Sequence, residues 1–140
     1  CRLCGEQIGE DVFAFPDAET VAAMEREDLS PIRAGFRDKY IISAARGISS
    51  GIVDIQKIYD GDIQTGMEEL QKTKGVGPKV AQCALLYGFH KTQAFPLDVW
   101  MKRAMEKLFP GRVPEDFGEN AGLAQQYIFH YSRMHPEEVK

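Results

Sequence analysis

Apolar residues recur every three or four positions along most of the chain, which is the pattern of amphipathic helices. The clearest stripe consists of Leu97, Trp100, Met101, Ala104 and Leu108. No segment of useful length alternates between apolar and polar residues, as a half-buried strand does. The pattern predicts an all-α fold with six to eight helices around one core. Two further apolar helix faces are predicted at Ile41, Ala44, Ala45, Ile48 and Ile52, and at Val80, Ala84 and Tyr87.

Prolines and glycines divide the helical segments. The chain has 140 residues, enough for one core of ordinary domain size, and it contains no internal repeat, linker or low-complexity tract. We therefore expect a single helical domain over residues 1–140. Breaks between helices are predicted at Pro16, Pro31, Gly47, Gly51, Gly61, Pro110 and Pro114.

The composition indicates a folded protein, because 44% of the residues are hydrophobic and 27% are charged. No apolar run approaches the ~20 residues that a transmembrane helix needs, and no signal peptide is visible. We therefore expect an intracellular protein that has no membrane partner.

The net charge of −4 would oppose binding to nucleic acid if it were spread evenly over the surface. Residues 6–28, however, hold eight acids and one base, whereas bases predominate in several later segments. This distribution predicts a basic face on an acidic body. The bases concerned are Arg33, Arg37, Lys39, Arg46, Lys72, Lys74, Lys79, Lys102, Arg103, Lys107 and Arg112.

The three cysteines offer little for metal or redox chemistry. Cys1 and Cys4 have a Cys-x-x-Cys spacing, but a structural zinc site needs two more ligands. Neither Cys83 nor the three histidines supply a second recognisable pair, so a metal or redox role for Cys1 and Cys4 is the less favoured alternative. Because no cluster of four cysteines lies near the C-terminus, we expect no iron–sulfur cluster. We also expect that no cofactor is required.

A glycine-rich turn, Gly75-Val76-Gly77-Pro78, precedes a predicted helix. Gly75 and Gly77 can adopt positive φ, and Pro78 suits the first helical position because its missing N–H would be unpaired there. The free amides of such a turn suit a phosphate, which they bind without regard to base sequence. The alternative is that the turn merely joins two packed helices.

Lys79 and Asp98 are the candidate catalytic residues. A lysine becomes a nucleophile when its amine is neutral, which burial or nearby positive potential favours. Lys79 lies in the first helical turn, where the helix dipole disfavours the ammonium form; an exposed lysine that touches phosphate is the alternative. Asp98 precedes an apolar stripe and is a natural N-cap. A carboxylate fixed in this way could also stabilise the cationic state of glycosidic bond cleavage.

Gln125 interrupts the apolar stripe of Ala121, Ala124 and Ile128. A buried amide needs a polar partner, and a purine edge, a backbone carbonyl or water could each supply one. Gln125 shares a helix face with Phe129, four residues later, as Lys79 does with Cys83. Taken alone, Cys83 and Phe129 are typical core residues.

Three segments together resemble the helix-hairpin-helix, Gly/Pro-Asp superfamily of DNA glycosylases, and within it the 8-oxoguanine DNA glycosylases. They are residues 70–83 (LQKTKGVGPKVAQC), 94–99 (AFPLDV) and 121–129 (AGLAQQYIF), in the family's order and spacing. Weaker similarity extends over residues 1–47. The resemblance implies a multi-helix glycosylase core with the helix-hairpin-helix at about residues 65–88, between two helical lobes. Since the family carries an upstream β-rich domain and further helices, we expect this chain to be a fragment.

The resemblance implies a bifunctional glycosylase/AP lyase that removes 8-oxoguanine from damaged duplex DNA in base-excision repair. Lys79 would attack C1′ of the damaged nucleotide, expel the base and form a Schiff base that proceeds to strand cleavage by β-elimination. Asp98 would assist the departure of the base electrostatically. Cys83 and Phe129 would pack on the two faces of the flipped base, and Gln125 would read its Watson–Crick edge.

The resemblance also places residues against DNA and against a cation. Phe36 would fill the gap left by the extruded base, and Arg37 would face the orphaned partner base. The alternative is that Phe36 packs inside the protein. On the hairpin, Lys74, Gly75, Val76 and Gly77 would contact phosphate, and the carbonyls of Gln71, Thr73 and Val76 would hold a monovalent cation.

Two other functions stay open at this point: a helix-hairpin-helix module that binds DNA without catalysis, and a glycosylase for another oxidised base. The chain departs from the family pattern where Lys74 replaces a proline, Trp100 a histidine and Ser132 an acidic residue. None of the three touches the nucleophile, so the departures bear on lesion preference and phosphate contacts. We expect the protein to act as a monomer.

Overall fold

Seven α-helices carry the fold, joined by four short 3-10 helices, and the computed structural model describes all 140 residues, Cys1–Lys140. The prediction of an all-α fold with six to eight helices is confirmed. No helix has both the length and the apolar character that crossing a membrane requires. The helices are α1 (Ala18–Ala22), α2 (Asp38–Ser49), α3 (Ile55–Asp60), α4 (Ile63–Gln71), α5 (Pro78–Tyr87), α6 (Val99–Leu108) and α7 (Ala121–Met134).

The starts of the helices follow from local sequence. Four helices begin after an aspartate whose carboxylate accepts a hydrogen bond from the amide three residues later, at 2.7 to 2.9 Å. These N-caps are Asp17, Asp54, Asp62 and Asp98. Helix α5 instead starts with a proline at its first position, as predicted.

A small antiparallel hairpin precedes the helices, in a segment where the sequence shows no strand pattern of useful length. Strand β1 (Gln7–Gly9) pairs with β2 (Val12–Phe13), and Asp11 in the turn has a φ of 57°. The two strands hold three and two residues, which is too short for an alternating pattern to be recognised.

Two buried clusters, rather than the expected single core, organise the chain. The α6–α7 core is formed by Phe95, Met101, Ala104, Met105, Ala121, Ile128 and Val139. The α3–α5 core is formed by Val53, Ile58, Leu85 and Ala94. The adjacent residues Ala94 and Phe95 belong to different cores, so the extended segment 94–98 lies where the two cores meet.

The predicted apolar faces of α2 and α5 were only partly correct, because Ala45 is buried as predicted but the other predicted residues are exposed or half-buried. In α2 the buried residues are Ile42 and Ala45, whereas Ile41 and Ile48 are exposed. In α5 the buried residues are Ala81 and Leu85, whereas Val80 and Tyr87 are exposed. Each helix carries apolar residues on more than one face, so spacing alone does not identify the buried one. The α6 stripe is confirmed, because Met101 and Ala104 are fully buried.

Two predicted breaks were also wrong. Gly47 lies inside α2, and Pro31 lies inside the 3-10 helix Glu27–Ile32. A Cβ at Gly47 would meet the Val53 side chain at 3.4 Å. Gly47 therefore does not mark the end of a helix.

Candidate active site

The turn between α4 and α5 contains one glycine with positive φ and one with negative φ. Gly75 has a φ of +90°, and a Cβ there would lie 2.5 Å from Cγ of the Tyr40 ring. Gly77 is extended, with a φ of −89°, and serves as the N-cap of α5; a Cβ there would meet nothing within 4 Å. The expectation of positive φ therefore holds at Gly75 alone.

A row of unpaired amides surrounds this turn. The amide of Val76 donates to the carbonyl of Thr73 at 3.1 Å, but those of Gly75, Gly77, Lys79 and Val80 donate to no backbone or side-chain acceptor. Unpaired N–H groups at the start of a helix form an anion site, because the positive end of the helix dipole adds to them. The turn is thus suited to a phosphate.

Lys79 is exposed in the first turn of α5 and makes no hydrogen bond or ion pair. The burial expected for a nucleophilic amine is therefore not provided by this chain itself. The helix dipole still acts on the amine, and a ligand that covers the turn would remove water from it.

Asp98 is half-buried at the N-terminus of α6. Its Oδ1 accepts a hydrogen bond from the amide of Met101 at 2.8 Å, which confirms the predicted N-cap. Its Oδ2 has no partner within the chain. The carboxylate is fixed by the cap and keeps one oxygen available.

Two side-chain hydrogen bonds hold the segment before Asp98. The amide of Phe95 donates to Oε1 of Gln82 at 2.6 Å, and Gln82 lies one turn beyond Lys79 in α5. From the other side, Nε2 of Gln125 in α7 donates to the carbonyl of Pro96 at 3.2 Å. The three predicted motifs are thereby joined, although sequence reasoning had assigned no role to Gln82. Its only signal was a glutamine on a largely apolar helix.

The three predicted base-pocket residues lie on α5 and α7. Cys83 is a half-buried free thiol, and Phe129 packs against the α6–α7 core. Gln125 is 5% exposed, and its Oε1 accepts a hydrogen bond from Nε2 of Gln126. The amide of Gln125 is therefore paired within the protein, partly by a backbone carbonyl, which is one of the expected solutions.

The predicted wedge, Phe36, is exposed rather than packed inside. It lies in the 3-10 helix Gly35–Arg37 and is 63% exposed. The Arg37 guanidinium lies 4.7 Å from the centre of its ring, and the Tyr40 ring meets it edge to face at 6.4 Å. Because Tyr40 also contacts Gly75, the wedge and the turn are neighbours.

The cations around the turn divide into paired and unpaired ones. Arg26 donates two hydrogen bonds to Asp38, at 3.0 and 3.2 Å, and these hold the pKa of the Asp38 carboxyl below its ordinary value. Arg46 pairs with Glu25 at 3.2 Å, so this base does not add free charge to the surface. The bases of this region that form no ion pair are Arg33, Arg37, Lys39, Lys74 and Lys79.

Glu69, near the end of α4, forms a closed charged cluster. Its side chain is 1% exposed and accepts hydrogen bonds from Lys57 at 2.8 Å, Lys72 at 2.7 Å and the amide of Asp54 at 3.2 Å. These bonds, that from Lys57 foremost, lower the pKa of Glu69 from 4.5 to about 2. The cluster ties α4 to the start of α3 and so fixes the first helix of the hairpin.

Other groups that could bind ligands lie elsewhere. His135, Glu137 and Glu138 come within 4.8 Å of one another on the surface, but both carboxylate oxygens of Glu138 accept from the Tyr131 hydroxyl. Cys1 and Cys4 gather no further metal ligand.

The predicted base-pocket residues do not line the two surface clefts that lie beside the turn and beside the segment before Asp98. One of about 510 Å³ lies between α2 and the start of the turn, and one of about 570 Å³ lies beside Phe95 and Leu97. Neither is lined by Lys79, Cys83 or Phe129.

No protein-family model matches the chain. A probable N-glycosylase/DNA lyase of Methanothermobacter thermautotrophicus is 40% identical over 116 residues, which cover 76% of this chain and 37% of that protein. An N-glycosylase/DNA lyase of Arabidopsis thaliana is 29% identical over an alignment of 149 residues, covering 89% of this chain and 40% of that protein.

A solved structure agrees with these relatives. The 8-oxoguanine glycosylase/lyase of Clostridium acetobutylicum, in complex with double-stranded DNA containing cytosine opposite 8-oxoguanine, matches with a TM-score of 0.81 and 34% identity. The match covers 96% of this chain and 51% of that one. The chain thus spans about half, or less, of the proteins it matches. By sequence and by fold, the chain is homologous to N-glycosylase/DNA lyases, and its fold matches that of an 8-oxoguanine glycosylase/lyase.

Proposed function

We propose that the chain forms the catalytic helical part of a bifunctional DNA glycosylase/AP lyase that removes 8-oxoguanine from duplex DNA. One observation carries the proposal: an unpaired lysine lies at the start of α5 and a carboxylate caps the start of α6, and the Gln82–Phe95 hydrogen bond joins α5 to the segment that leads into α6. The 8-oxoguanine glycosylase/lyase of similar fold supports the choice of lesion.

The chemistry assigns a separate role to each of the two residues. The neutral amine of Lys79 attacks C1′ of the damaged nucleotide, and the electron pair of the broken C1′–N9 bond leaves with the base, which takes up a proton. Asp98 stabilises the positive charge that develops on the sugar. Opening of the sugar ring gives a Schiff base between Lys79 and C1′. Loss of a proton from C2′ then expels the 3′-phosphate by β-elimination.

Binding of DNA uses the turn and the wedge. The unpaired amides of Gly75, Gly77 and Lys79 donate hydrogen bonds to a backbone phosphate, with Lys74 beside them, and these contacts do not read base sequence. Phe36 enters the space of the extruded base, and Arg37 meets the partner base once its stacking on the Phe36 ring is released. Cys83, Phe129 and Gln125 receive the base.

A monovalent cation at the hairpin fits the same proposal. The carbonyls of Gln71 and Val76 accept no hydrogen bond, and that of Thr73 accepts one, from Val76. These three carbonyls, between the last residue of α4 and the start of α5, have free lone pairs and are oxygen donors of the kind that a monovalent cation takes. Such a cation would orient the turn towards phosphate.

Borohydride trapping tests the proposed function. The unaltered protein is incubated with duplex containing 8-oxoguanine in the presence of borohydride, which reduces the Schiff base to a stable adduct. The adduct is expected for the unaltered protein and for Lys140→Gln, which changes an exposed lysine outside the site, and not for Lys79→Gln. Binding of the duplex with neither adduct nor base release would favour the non-catalytic module. Preferred release of another oxidised base would reassign the lesion.

A further inference from the structure

A chain of three hydrogen bonds fixes the amide of Gln125. Its Nε2 donates to the carbonyl of Pro96 at 3.2 Å, and its Oε1 accepts from Nε2 of Gln126. The same Nε2 of Gln126 donates to the hydroxyl of Tyr87 at 2.6 Å, which joins α7 to the end of α5. Both N–H groups of Gln126 are therefore used, one for each neighbour.

These bonds allow one orientation of the Gln125 amide. If the amide were flipped, its Oε1 would face the carbonyl of Pro96 and its Nε2 would face Nε2 of Gln126, so that like groups would meet. Gln125 is 5% exposed, and water cannot readily replace the lost partners. The carbonyl of Pro96 and the amide of Gln126 therefore set the orientation of Gln125 together, and the Tyr87 hydroxyl holds the Gln126 side chain in place.

The fixed amide keeps one N–H and one lone pair for a ligand. On a guanine-type edge, which 8-oxoguanine retains, the O6 acceptor lies beside the N1–H donor. On an adenine-type edge the N6–H donor lies beside the N1 acceptor. An amide that can flip complements either edge, whereas a fixed amide complements only one order of donor and acceptor.

We propose that Gln126, anchored by Tyr87, is a positioning residue that fixes the Gln125 amide and makes the site select a guanine-type edge over an adenine-type edge. The inference rests on the proposed function, which assigns Gln125 to the flipped base. Both residues act through Gln125, so their loss lowers discrimination between bases more than it lowers the rate on the preferred base.

The test compares single-turnover release of 8-oxoguanine and 8-oxoadenine from duplexes that are otherwise identical. In Tyr87→Phe, which removes one oxygen, the ratio of the two rate constants is expected to fall about fivefold, the effect of one hydrogen bond. Gln126→Leu, which removes both donors, should lower the ratio further. Tyr127→Phe is the matched control: Tyr127 is adjacent to Gln126, is 72% exposed and makes no hydrogen bond through its hydroxyl, so the ratio should not change.

The outcomes separate this inference from the function on which it rests. An equal loss of both rates in Gln126→Leu would mark a purely structural role and would overturn the inference. The inference would also be overturned if the ratio of the two rate constants were unchanged in both Tyr87→Phe and Gln126→Leu while Lys79-dependent release continued. In that case the proposed function would stand. If the unaltered protein released neither base, the proposed function would fail and the inference with it.

Discussion

Two lysines on opposite sides of the turn, Lys72 and Lys79, have contrasting surroundings. Lys72 donates to both carboxylate oxygens of the buried Glu69 and also to the carbonyl of Ile52. Lys79 has no partner, and the amides around it are unpaired as well. The α4 side of the hairpin is therefore closed by its own charges, whereas the α5 side is open to a ligand.

The difference shows how the hairpin separates stability from function. A charge that is satisfied inside the fold holds an element in place but is no longer available to a substrate. A charge left unpaired at a helix start contributes little to stability and retains its reactivity. The sequence places both lysines in one basic segment, and only the fold distinguishes them.

Exchanging each lysine for glutamine in turn should give the largest effects. Lys79→Gln removes the amine that forms the Schiff base, so the trapped adduct should fall at least about a thousandfold, while the free energy of unfolding changes by less than about 0.5 kcal/mol. Lys72→Gln should have the opposite effects: the midpoint of thermal unfolding should fall by several degrees, because Glu69 loses a partner, and the amount of trapped adduct should not change. Trapping and thermal denaturation measure both, and loss of adduct in a folded Lys72→Gln protein would break the comparison.

Substitutions of Asp98 should separate its two roles. Asparagine is as good an N-cap as aspartate, so Asp98→Asn should leave stability nearly unchanged but slow base release about a hundredfold to a thousandfold. Asp98→Ala should lose the cap as well, at about 1 kcal/mol. Asp62→Asn provides the control, because Asp62 caps α4 with the same 2.8 Å bond and has no part in the chemistry. Similar release rates for the Asp62 and Asp98 variants would argue against an electrostatic role.

The two glycines of the turn should differ in the same way as the lysines. Gly75→Ala forces a side chain into positive φ and against Tyr40, so the free energy of unfolding should fall by about 1–3 kcal/mol. Gly77→Ala meets no neighbour and should cost less than about 1 kcal/mol, the effect of a poorer N-cap. Urea denaturation of the two variants measures the difference. Equal costs would mean that the contact with Tyr40 does not constrain the turn.

The last expected effect is the pH dependence of the closed side. The pKa of Glu69 is lowered in the folded protein from 4.5 to about 2, so its contribution to stability is complete above pH 4.5 and is lost as the pH falls towards 2. In Glu69→Gln the urea midpoint should decline less steeply over this range. Identical slopes in the two proteins would show that the cluster does not carry the linkage.

Local signals accounted for much of the site before the fold was known. Pro78 at the first position of α5 and Asp98 as the cap of α6 depend on neighbours within four residues, and both were predicted correctly. Tertiary relations were not accessible in this way. The pairing of Lys72 with Glu69 and the bond from Phe95 to Gln82 depend on how helices pack, which a periodic pattern does not specify.

The buried faces show the same limit. Helix α5 carries both Ala81 with Leu85 and Val80 with Tyr87 at helical spacing, and only the first pair is buried. Helical spacing alone therefore does not predict which of the two pairs is buried. The choice is made by the surface that α3 and α4 present, which the local sequence of α5 does not encode.

The ring of Tyr40 touches both Gly75 and Phe36, so the fold sets a fixed span between the turn and the exposed aromatic side chain. In the proposed reaction, a duplex that contacts only the turn can slide along the protein, because phosphates are equivalent along the strand. A duplex that contacts both the turn and Phe36 must open at a fixed distance from the bound phosphate. Tyr40 would then set the distance between the bound phosphate and the position at which the duplex opens, although the phosphate contact itself has no sequence preference.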